Sequence, residues 1–564
     1  MKLRHLSTAF LATCLLLVCS EGQAAVTVTG DVQVCDGIGT VTIPATCTDE
    51  PGVTDPWEID DRLYVGKTGE GTLSVEAGGV VSVGPRGWGS HIGYSPGSVG
   101  TVTVSGEGSE WNNTGEIYVG NEGEGSLNIT DGGVVSSAWS IMGYQSGSVG
   151  TVTVTGDGSE WANTGPVDVG IFGEGTLNIT DGGVVSGDGS YVSISPTHIG
   201  YFRGSVGTVT VTDEGSEWNN SGWLLVGRYG EGTLNIESDG VVSNSWGNIG
   251  YSSHSVGTVT VTGEGSEWNN SENLMVGPSF SSTFGGDGTL NITGGGTVNV
   301  GEETWVALLT NSSGVINFNN GTLNTGGLTS SLDNLQGTGT INTHGLVSDI
   351  DLLFDHPSSL SQSFTLDDPG QNISLNLEVD GTANMGVGYE GTGLLQISGG
   401  VKVESSNGFL GYKAGSSGTA FVVGEGSHWN NSPGVSTSSN CAPWDKSGCL
   451  YVGREGEGTL NIMDGGVVSN TKGYIGWSSD SVGTVTVNGE GSEWNNGFNL
   501  SVKRGTLTIS DSGVVNVAET TTFSSNSTLH IELSDPTSGP SLITDDLELI
   551  YGGVGFPRSM IQGL

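Results

Sequence analysis

Residues 119–135 read Val-Gly-Asn-Glu-Gly-Glu-Gly-Ser-Leu-Asn-Ile-Thr-Asp-Gly-Gly-Val-Val. Apolar side chains such as Leu127 and Ile129 occupy alternate positions, and glycine-rich corners stand on both sides. This alternation predicts a short β-strand between turns. The phrase Gly-Thr-Leu-Asn-Ile, or its variant Gly-Thr-Val-Thr-Val, recurs along the chain, and its first glycine falls at Gly71, Gly100, Gly125, Gly150, Gly175, Gly207, Gly232, Gly257, Gly288, Gly458, Gly483 and Gly505. The steps from 100 to 125 and from 125 to 150 give the commonest period, 25 residues, which is typical of a stacked repeat protein.

Two kinds of unit alternate. The second kind contains Met142-Gly143-Tyr144, then a Gly-Thr-Val-Thr-Val strand, then Gly156-Asp157-Gly158-Ser159-Glu160-Trp161. Such short strands cannot bury a hydrophobic face alone, but stacked coils form parallel ladders around a continuous apolar interior. The sequence therefore predicts an all-β fold, a right-handed parallel β-helix (solenoid) with about 25 residues per coil and roughly 20 coils.

The composition excludes several classes of protein. The chain has 564 residues, of which 100 are glycine without a Gly-X-Y register, so it is not a collagen. It carries 60 acidic and 15 basic residues, a formal net charge of −45. Nucleic acids and anionic membranes attract cationic surfaces, so we expect no nucleic-acid partner.

The N-terminus has the pattern of a secretory signal. Lys2 and Arg4 precede a largely apolar stretch over 6–18, and Gly22-Gln23-Ala24 offers small residues for cleavage. We expect a signal peptide over 1–24 and no membrane span in the mature chain.

Four cysteines remain after the predicted cleavage. Their even number, the exported context and their local spacing predict two short-range disulfides, Cys35–Cys47 and Cys441–Cys449. A zinc site is the alternative, but the sequence has no Cys-x-x-Cys and no neighbouring pair of histidines to support it.

The rhythm of the repeat divides the chain into six segments. Residues 1–24 are the signal peptide, and 25–61 are an N-terminal cap that contains Cys35 and Cys47. The other segments are a first β-helix repeat block (62–300), an irregular β-helical linking section (301–385), a second repeat block with the Cys441–Cys449 loop (386–516) and C-terminal coils (517–564).

The repeat resembles one shared by type V autotransporter passengers and PEP-CTERM-associated exported bacterial proteins. The resemblance covers most of 62–300 and 386–516 and rests on Val-Gly-x-x-Gly-Glu-Gly-Thr-Leu-Asn-Ile, Asp-Gly-Gly-Val-Val-Ser, Ile-Gly-Tyr and Gly-Ser-Glu-Trp-Asn-Asn. Residues 321–325 and 337–342 are similar to the linking segment of that family. The resemblance implies a parallel β-helix exported from a Gram-negative-type bacterium, to the medium, the cell surface or the periplasm.

The C-terminal end departs from the family. An autotransporter would continue into a membrane β-barrel, and the sorting tail would need Pro-Glu-Pro, an apolar span and basic residues, none of which follows residue 516. Two alternatives stay open: the chain is truncated within its last coils, or separate machinery exports it.

Two catalytic motifs occur, and both have structural explanations. Residues 93–97 match Gly-x-Ser-x-Gly, but equivalent turns at 143–147 and 200–204 lack the serine, so we predict no nucleophile. Residues 386–391 match Gly-x-Gly-x-x-Gly without a following helix, so we predict no dinucleotide site. His428 replaces a glutamate of other repeats, which indicates a variable position. We therefore expect no catalytic and no cofactor-binding residues.

Acidic residues recur four positions before a repeat tryptophan, at Glu107, Asp157, Glu214, Glu264, Glu425 and Glu490. Equivalent acids two coils apart would be about 10 Å from each other, which water alone can accommodate. If Asp131 or Asp181 stacked between them, like charges would lie about 5 Å apart and Ca²⁺ would relieve the repulsion. A structural Ca²⁺ is therefore an alternative to the expectation of no metal.

The repeat tryptophans are Trp111, Trp161, Trp218, Trp268, Trp429 and Trp494. One interpretation places them in the interior of the coils, where they fill a corner. The alternative is a surface ladder of indoles on which sugar rings stack.

Three functions remain after these considerations. The leading one is an exported, non-catalytic β-helix rod that acts as an adhesive or structural passenger. The alternatives are a glycan-binding matrix protein, with a polysaccharide or surface glycan as partner, and a carbohydrate-active β-helix lyase or hydrolase. A catalytic coil should break the repeat with clustered acids and bases, and the candidates for such a break are Asp349, Asp351, Asp355 and His356.

Overall fold

The computed structural model describes residues 25–556 except 31, 36–39, 43–56, 60–61, 85–88, 188–195, 278–285, 309–311, 432–440, 442–445, 533–538 and 552–553; for 25–42, 550–551 and 554–556 it describes the backbone alone. The predicted signal peptide and the predicted Cys35–Cys47 bond lie outside the described residues and side chains. The segment boundaries predicted from the sequence stay predictions.

The chain folds into a parallel β-solenoid of about 18 turns whose equivalent strands are ~25 residues apart, so the predicted fold class is confirmed. Each regular coil passes through three strands, which lie on three faces of the solenoid. The described part of the chain has two 3₁₀ turns, Leu332–Asn334 and Pro357–Leu360.

The first face carries the Gly-Thr-Leu-Asn-Ile strands. They are Glu70–Glu76, Val99–Ser105, Glu124–Thr130, Val149–Thr155, Glu174–Thr180, Val206–Thr212, Glu231–Glu237, Val256–Thr262, Asp287–Thr293, Thr392–Ile397, Ser417–Val423, Glu457–Met463 and Val482–Asn488.

The second face carries the tryptophan strands and their counterparts. They are Trp57–Ile59, Val80–Val83, Glu110–Asn113, Val134–Ser137, Glu160–Asn163, Val184–Gly187, Glu217–Asn220, Val241–Asn244, Glu267–Asn270, Lys402–Glu404, His428–Asn431, Val467–Asn470 and Glu493–Asn496.

The third face carries the strands that precede a Gly-Tyr or Gly-x-x-Gly corner. They are Arg62–Val65, Ser90–Ile92, Glu116–Val119, Trp139–Met142, Val167–Val169, Thr197–Ile199, Leu224–Val226, Gly247–Ile249, Leu274–Val276, Leu346–Ser348, Met385–Val387, Gly408–Leu410, Cys449–Val452 and Lys472–Ile475.

Several strands run through more than one face, and a few lie outside the regular coils. The long strands are Thr297–Val306, Ser313–Thr329, Leu335–Thr343, Gln371–Glu378, Leu500–Ser510, Val514–Glu532 and Ser541–Tyr551. The additional strands are Ala25–Gly30, Val32–Cys35, Thr40–Thr42, Leu352–Phe354, Ser361–Leu366 and Val554–Phe556.

The repeated glycines set the register. Gly100 pairs with Gly71 on one side and Gly125 on the other, and the same glycine-to-glycine pairing continues to Gly288. The corners require glycine as well: Gly120 has a φ of 71°, and a Cβ there would lie 2.2 Å from the carbonyl oxygen of Val149. The period of the sequence repeat is thus the period of the stacked coils.

The core follows from the alternation along each strand. In a typical coil Ile117, Val119, Leu127, Ile129 and Val135 are fully buried, while the residues between them point outwards. Each apolar column continues into the next coil, which gives one core along the solenoid.

The N-terminal edge of the stack is covered. Ala25–Gly30 pairs antiparallel with Glu70–Glu76, and Val32–Cys35 pairs antiparallel with Arg62–Val65. These strands satisfy the outer edge of the first described coil.

The middle of the chain interrupts the stack on one side. Gln371–Glu378 pairs antiparallel with Ser361–Leu366, whereas Thr392–Ile397 pairs with Leu352–Phe354. The third face continues across this interruption, because Leu346–Ser348 pairs with Met385–Val387.

Candidate functional site

The outer row of the third face is a continuous column of side chains that point away from the core. It consists of the middle residues of successive strands: Tyr64, His91, Tyr118, Ile141, Asp168, His198, Leu225, Asn248, Met275, Trp305, Thr329, Val347, Gly386, Phe409, Tyr451, Tyr474 and Ser501. Much of the row is buried, because the corner after each strand folds over it.

Aromatic rings stack along two parts of this outer row. The ring of His91 lies 5.2 Å from that of Tyr64 and 4.6 Å from that of Tyr118, in near-parallel planes. In the second block Tyr451 and Tyr474 stack at 4.8 Å. Ring pairs at these distances add to stability beyond their buried area, so the row fastens one coil to the next.

A buried polar chain replaces the aromatic rings in the middle of the first block. Asp168 accepts from the indole Nε1 of Trp139 at 2.9 Å and lies 2.8 Å from Nδ1 of His198. Nη1 of Arg228 lies 3.1 Å from Nε2 of His198. Because a guanidinium can only donate, Nε2 accepts and Nδ1 carries the proton that Asp168 accepts. Both ring nitrogens are thus engaged, which favours a structural role for this Asp–His pair.

A groove opens where a corner is missing. Leu500–Ser510 passes from the third face to the first without the usual turn, while the preceding coil keeps its turn at 478–481. The resulting ledge groove has a volume of about 460 Å³ and is lined by Ser479, Asp480, Ser481, Val482, Arg504, Gly505, Thr506, Asn526 and Thr528.

Aromatic and cationic groups stand beside the ledge groove. Trp477 is 40% exposed and meets Tyr474 edge to face at 4.7 Å. Nζ of Lys503 lies 3.4 Å from the centre of the Trp477 ring, and partial burial lowers the pKa of this amine. Sequence reasoning missed this place, although the Lys503-Arg504 pair stands out in a chain with 15 basic residues.

The six repeat tryptophans lie inside the solenoid. Trp111, Trp161, Trp218, Trp268, Trp429 and Trp494 each have 0% exposure. A sugar ring cannot reach an indole without an exposed face, so the structure shows the core-packing alternative and does not bring these residues to a glycan-binding surface.

The buried indole nitrogens differ in their partners. Nε1 of Trp268 donates to Asn244 at 2.7 Å, and Nε1 of Trp494 donates to Asn470 at the same distance. The nitrogen of Trp218 is buried without a hydrogen bond, and Gly187 occupies the position equivalent to Asn244.

We expect Gly187→Asn to stabilise the protein by about 1–2 kcal/mol, because it supplies an acceptor for a buried donor and removes a strand glycine. A Cβ at Gly187 meets its nearest heavy atom at 3.4 Å, so the site has room. Urea unfolding followed by circular dichroism measures the change. Gly187→Ala is the control, since it removes the glycine without adding the acceptor, and equal stabilities of the two variants would contradict the hydrogen-bond argument.

The recurring acids are offset from the aspartates with which they could have stacked. A Cβ on Gly132 would lie 3.6 Å from Cα of Glu107, and one on Gly182 would lie 3.6 Å from Cα of Asp157. Glycine therefore separates Glu107 from Asp157 and Asp157 from Glu214, which leaves these acids about 10 Å apart, whereas Asp239 takes the equivalent position between Glu214 and Glu264. Asp131 lies beside Gly156 instead. Asp131 and Asp181 therefore do not form the close like-charge column that would favour Ca²⁺, and no group of three or more described His, Cys, Asp or Glu side chains could hold a metal ion.

The acidic candidates of the linking section make structural hydrogen bonds. Asp349 Oδ1 accepts from the backbone N–H groups of Tyr389 at 2.7 Å and Gly391 at 2.9 Å, and burial raises the pKa of this carboxyl. Asp351 accepts from the N–H of Leu394 at 2.8 Å, and His356 caps the 3₁₀ turn that follows it. Asp355 lies on the exposed chain before this turn, where a Cβ on Gly399 would meet its carbonyl oxygen at 2.2 Å.

The motif matches have local explanations too. The N–H groups of the Gly-x-Gly-x-x-Gly stretch bind the carboxylate of Asp349 from within the chain. The carbonyl of Ser95 accepts from Ser98, as that of Gln145 accepts from Ser148, so the serine of the Gly-x-Ser-x-Gly match is one of several residues that suit this turn.

The structure also places three other residues of the sequence analysis, His428 and Cys449 on strands and Cys441 in the loop between them. His428 Nε2 is 2.9 Å from Oγ of Ser469, and burial, together with Lys402, lowers the pKa of its ring. Cys441 and Cys449 are disulfide-bonded, with their Cα atoms 5.9 Å apart, as predicted.

No helix in the part of the chain that the structure describes has the length and hydrophobicity to span a membrane. No family model matches the sequence, and no solved structure matches it significantly.

The fold defines a β-solenoid with a regular repeat, and a segment of it is similar to a known adhesin. The chain is 31% identical over 85 residues to the adhesin BmaC autotransporter of Brucella suis biovar 1 (strain 1330). The match covers 14% of this chain and 2% of that protein, so the chain spans a small fraction of its relative's length.

Proposed function

We propose that the chain is an exported, non-catalytic β-helix rod that acts as an adhesive or structural passenger outside the cell, at its surface. The similarity of one segment to an autotransporter adhesin carries this proposal. The continuous core supports it, because a rod whose coils each pack on two neighbours can be lengthened without a new fold.

The spacing of acidic residues along the first face also suits a protein that is exposed to saline outside the cell. Glu70, Glu124, Glu174 and Glu231 alternate with Val99, Val149, Val206 and Val256 along one edge of the first face. The valine of each intervening coil keeps the acids about 10 Å apart, close to one Debye length. Repulsion between the acids of this edge is therefore weak in saline.

Adhesion can be tested with beads coated with the purified chain. We expect them to adhere to epithelial or bacterial cells more than beads coated with the heat-denatured chain do, and to release no reducing or unsaturated ends from a polysaccharide panel. Equal adherence of the two bead types would contradict an adhesive fold, and release of such ends would show a lyase or hydrolase.

The ledge groove favours glycan binding as a second candidate. Its volume of about 460 Å³ lies in the range of small-ligand sites, it is lined by the polar Asp480 and Arg504, and the exposed Trp477 lies two residues before Ser479 of the lining. Partly exposed aromatic rings beside hydrogen-bonding groups suit sugars.

If the groove binds a glycan, Trp477→Ala should weaken binding on an array about two- to tenfold, the loss of one aromatic contact. Phe498→Ala is the matched control, since Phe498 is a similarly exposed ring (46%) that lies farther along the chain from every residue of the groove lining than Trp477 does. Equal losses from both variants would count against the groove.

A further inference from the structure

The first face of the solenoid presents a regular grid of small polar side chains. From Glu70–Glu76 to Asp287–Thr293, nine strands pair one to one without a bulge. Two outward positions of each strand, the residues on either side of the first core residue, form the interior of this grid. Gly-Thr-Val-Thr-Val strands place threonine at both, as at Thr151 and Thr153, and the others place threonine or serine beside serine or asparagine.

The composition of the grid is restricted. All of its positions, two in each of nine strands, are threonine, serine or asparagine, and all are partly exposed. Acids occur along the two edges, at Glu70 and Glu76 for example, and not in the interior. A chain with a net charge of −45 thus keeps one broad area free of charge and of aromatic rings.

The spacing of the grid is fixed by the backbone. Alternate residues of a strand are about 6.6 Å apart and neighbouring strands about 4.8 Å apart. Hydrogen bonds between side chains hold neighbouring coils together along the border of the grid, from Thr180 to Thr155 at 2.9 Å and from Thr293 to Thr262 at 2.8 Å. Asn291 donates to Thr260 at 3.2 Å within the grid.

These two spacings match those of a tetrahedral water network. With O–H···O distances of about 2.75 Å and tetrahedral angles, second-neighbour oxygens lie about 4.5 Å apart and extended third neighbours about 6.9 Å apart. Where side chains of adjacent coils do not bond to each other directly, one water can therefore bridge their hydroxyls, and a chain of two waters can bridge hydroxyls along a strand. The difference of about 0.3 Å per strand adds up to about 2.4 Å across nine strands, so a layer of bound water, and not direct contact with a lattice, has to take up the mismatch.

We propose that the first face over residues 70–293 binds ice through a layer of water held on its hydroxyl and amide groups. The absence of aromatic rings from the grid disfavours sugar stacking, and the absence of charge in its interior disfavours ionic surfaces. The acids at the first residue of every second strand, such as Glu124 and Glu174, face liquid water and limit the bound area on that side. This inference does not depend on the proposed adhesive function.

Thermal hysteresis and the inhibition of ice recrystallisation, measured on the purified chain, test the proposal. We expect ice growth to stop within a measurable hysteresis gap and the chain to partition into a slowly growing ice front. Thr153→Tyr should lower both activities about twofold or more, because a ring above the grid displaces ordered water without replacing its hydrogen bonds. Tyrosine suits a strand, so the fold is retained, which circular dichroism verifies.

Ala162→Tyr is the matched control, because Ala162 points outward from the second face of the same coil. It should keep the activity of the wild type. No hysteresis and no ice partitioning by the wild type would overturn the proposal, as would equal losses from the two tyrosine variants. Binding to crystalline cellulose without any effect on ice would overturn it as well and would identify a solid polysaccharide as the partner.

Discussion

Trp494→Ala should lower the free energy of unfolding by about 3–5 kcal/mol, because it removes a fully buried indole from a core that cannot close around the space. It also leaves Asn470 without its hydrogen bond from the indole nitrogen. The coils before and after this residue share the same apolar column, so the cavity weakens the contacts on both sides. Urea unfolding followed by far-ultraviolet circular dichroism measures the loss.

Phe498→Ala provides the comparison within the same coil. Phe498 is 46% exposed and contributes a ring at the surface, so its removal should cost less than about 1 kcal/mol. Losses of the same size in the two variants would show that the tryptophans do not carry the core.

The register of the stack could be predicted because one residue type marks it. Glycine at Gly71, Gly100 and Gly125 is required where the backbones of successive coils approach closely: a Cβ on Gly100 would lie 2.2 Å from the carbonyl oxygen of Val65. A marker imposed by backbone sterics repeats wherever the coil repeats. Loops of different lengths between the coils leave this glycine marker recognisable in the sequence.

The sequence analysis left open whether the repeat tryptophans point into the core or towards solvent, although an alignment of the two kinds of unit could have decided it. Trp161 pairs with Val135 and Val185, the second valines of the Asp-Gly-Gly-Val-Val segments. Aligning the two kinds of unit on their glycines would have placed each indole in a column of buried valines. The acids need a finer alignment, since Asp131 and Glu107 differ by one position in the turn, and one position decides whether like charges stack.

The linking section and the ledge groove could not be predicted, because nothing in them repeats. The binding of Asp349 to three N–H groups depends on contacts between residues about 40 positions apart, and the antiparallel pairing of Ser361–Leu366 with Gln371–Glu378 occurs at one place in the stack of parallel coils. Similarly, the groove forms because a corner is absent from one coil and present in the one before it. Single departures from a repeat leave no pattern to detect.

Glu303 is a buried carboxyl that joins the two sides of the interrupted stack. It lies on Thr297–Val306 and accepts from the backbone N–H of Asn384 at 3.1 Å and from its side-chain amide at 2.8 Å. Burial raises the pKa of Glu303 from 4.5 to about 7, against the opposing effects of Asn384 and of the more distant Lys446.

The raised pKa of Glu303 makes stability fall as the pH rises. The native state holds this proton up to about pH 7, whereas the unfolded chain releases it near pH 4.5, so the contribution is complete below pH 4.5 and is lost as the pH rises through 7. The interval corresponds to about 3 kcal/mol.

Glu303→Gln removes the titration and keeps the size of the side chain. The unfolding free energy of the wild type minus that of Glu303→Gln should therefore fall by about 3 kcal/mol between pH 4.5 and pH 8. Taking this difference cancels the titration of the other acids, which both proteins share. Glu302→Gln, at a neighbour whose side chain is 39% exposed, should leave the fall in place. Parallel curves for the wild type and Glu303→Gln would mean that the carboxyl is ionised in the native state at acidic pH, and that water reaches the joint between the two halves of the solenoid.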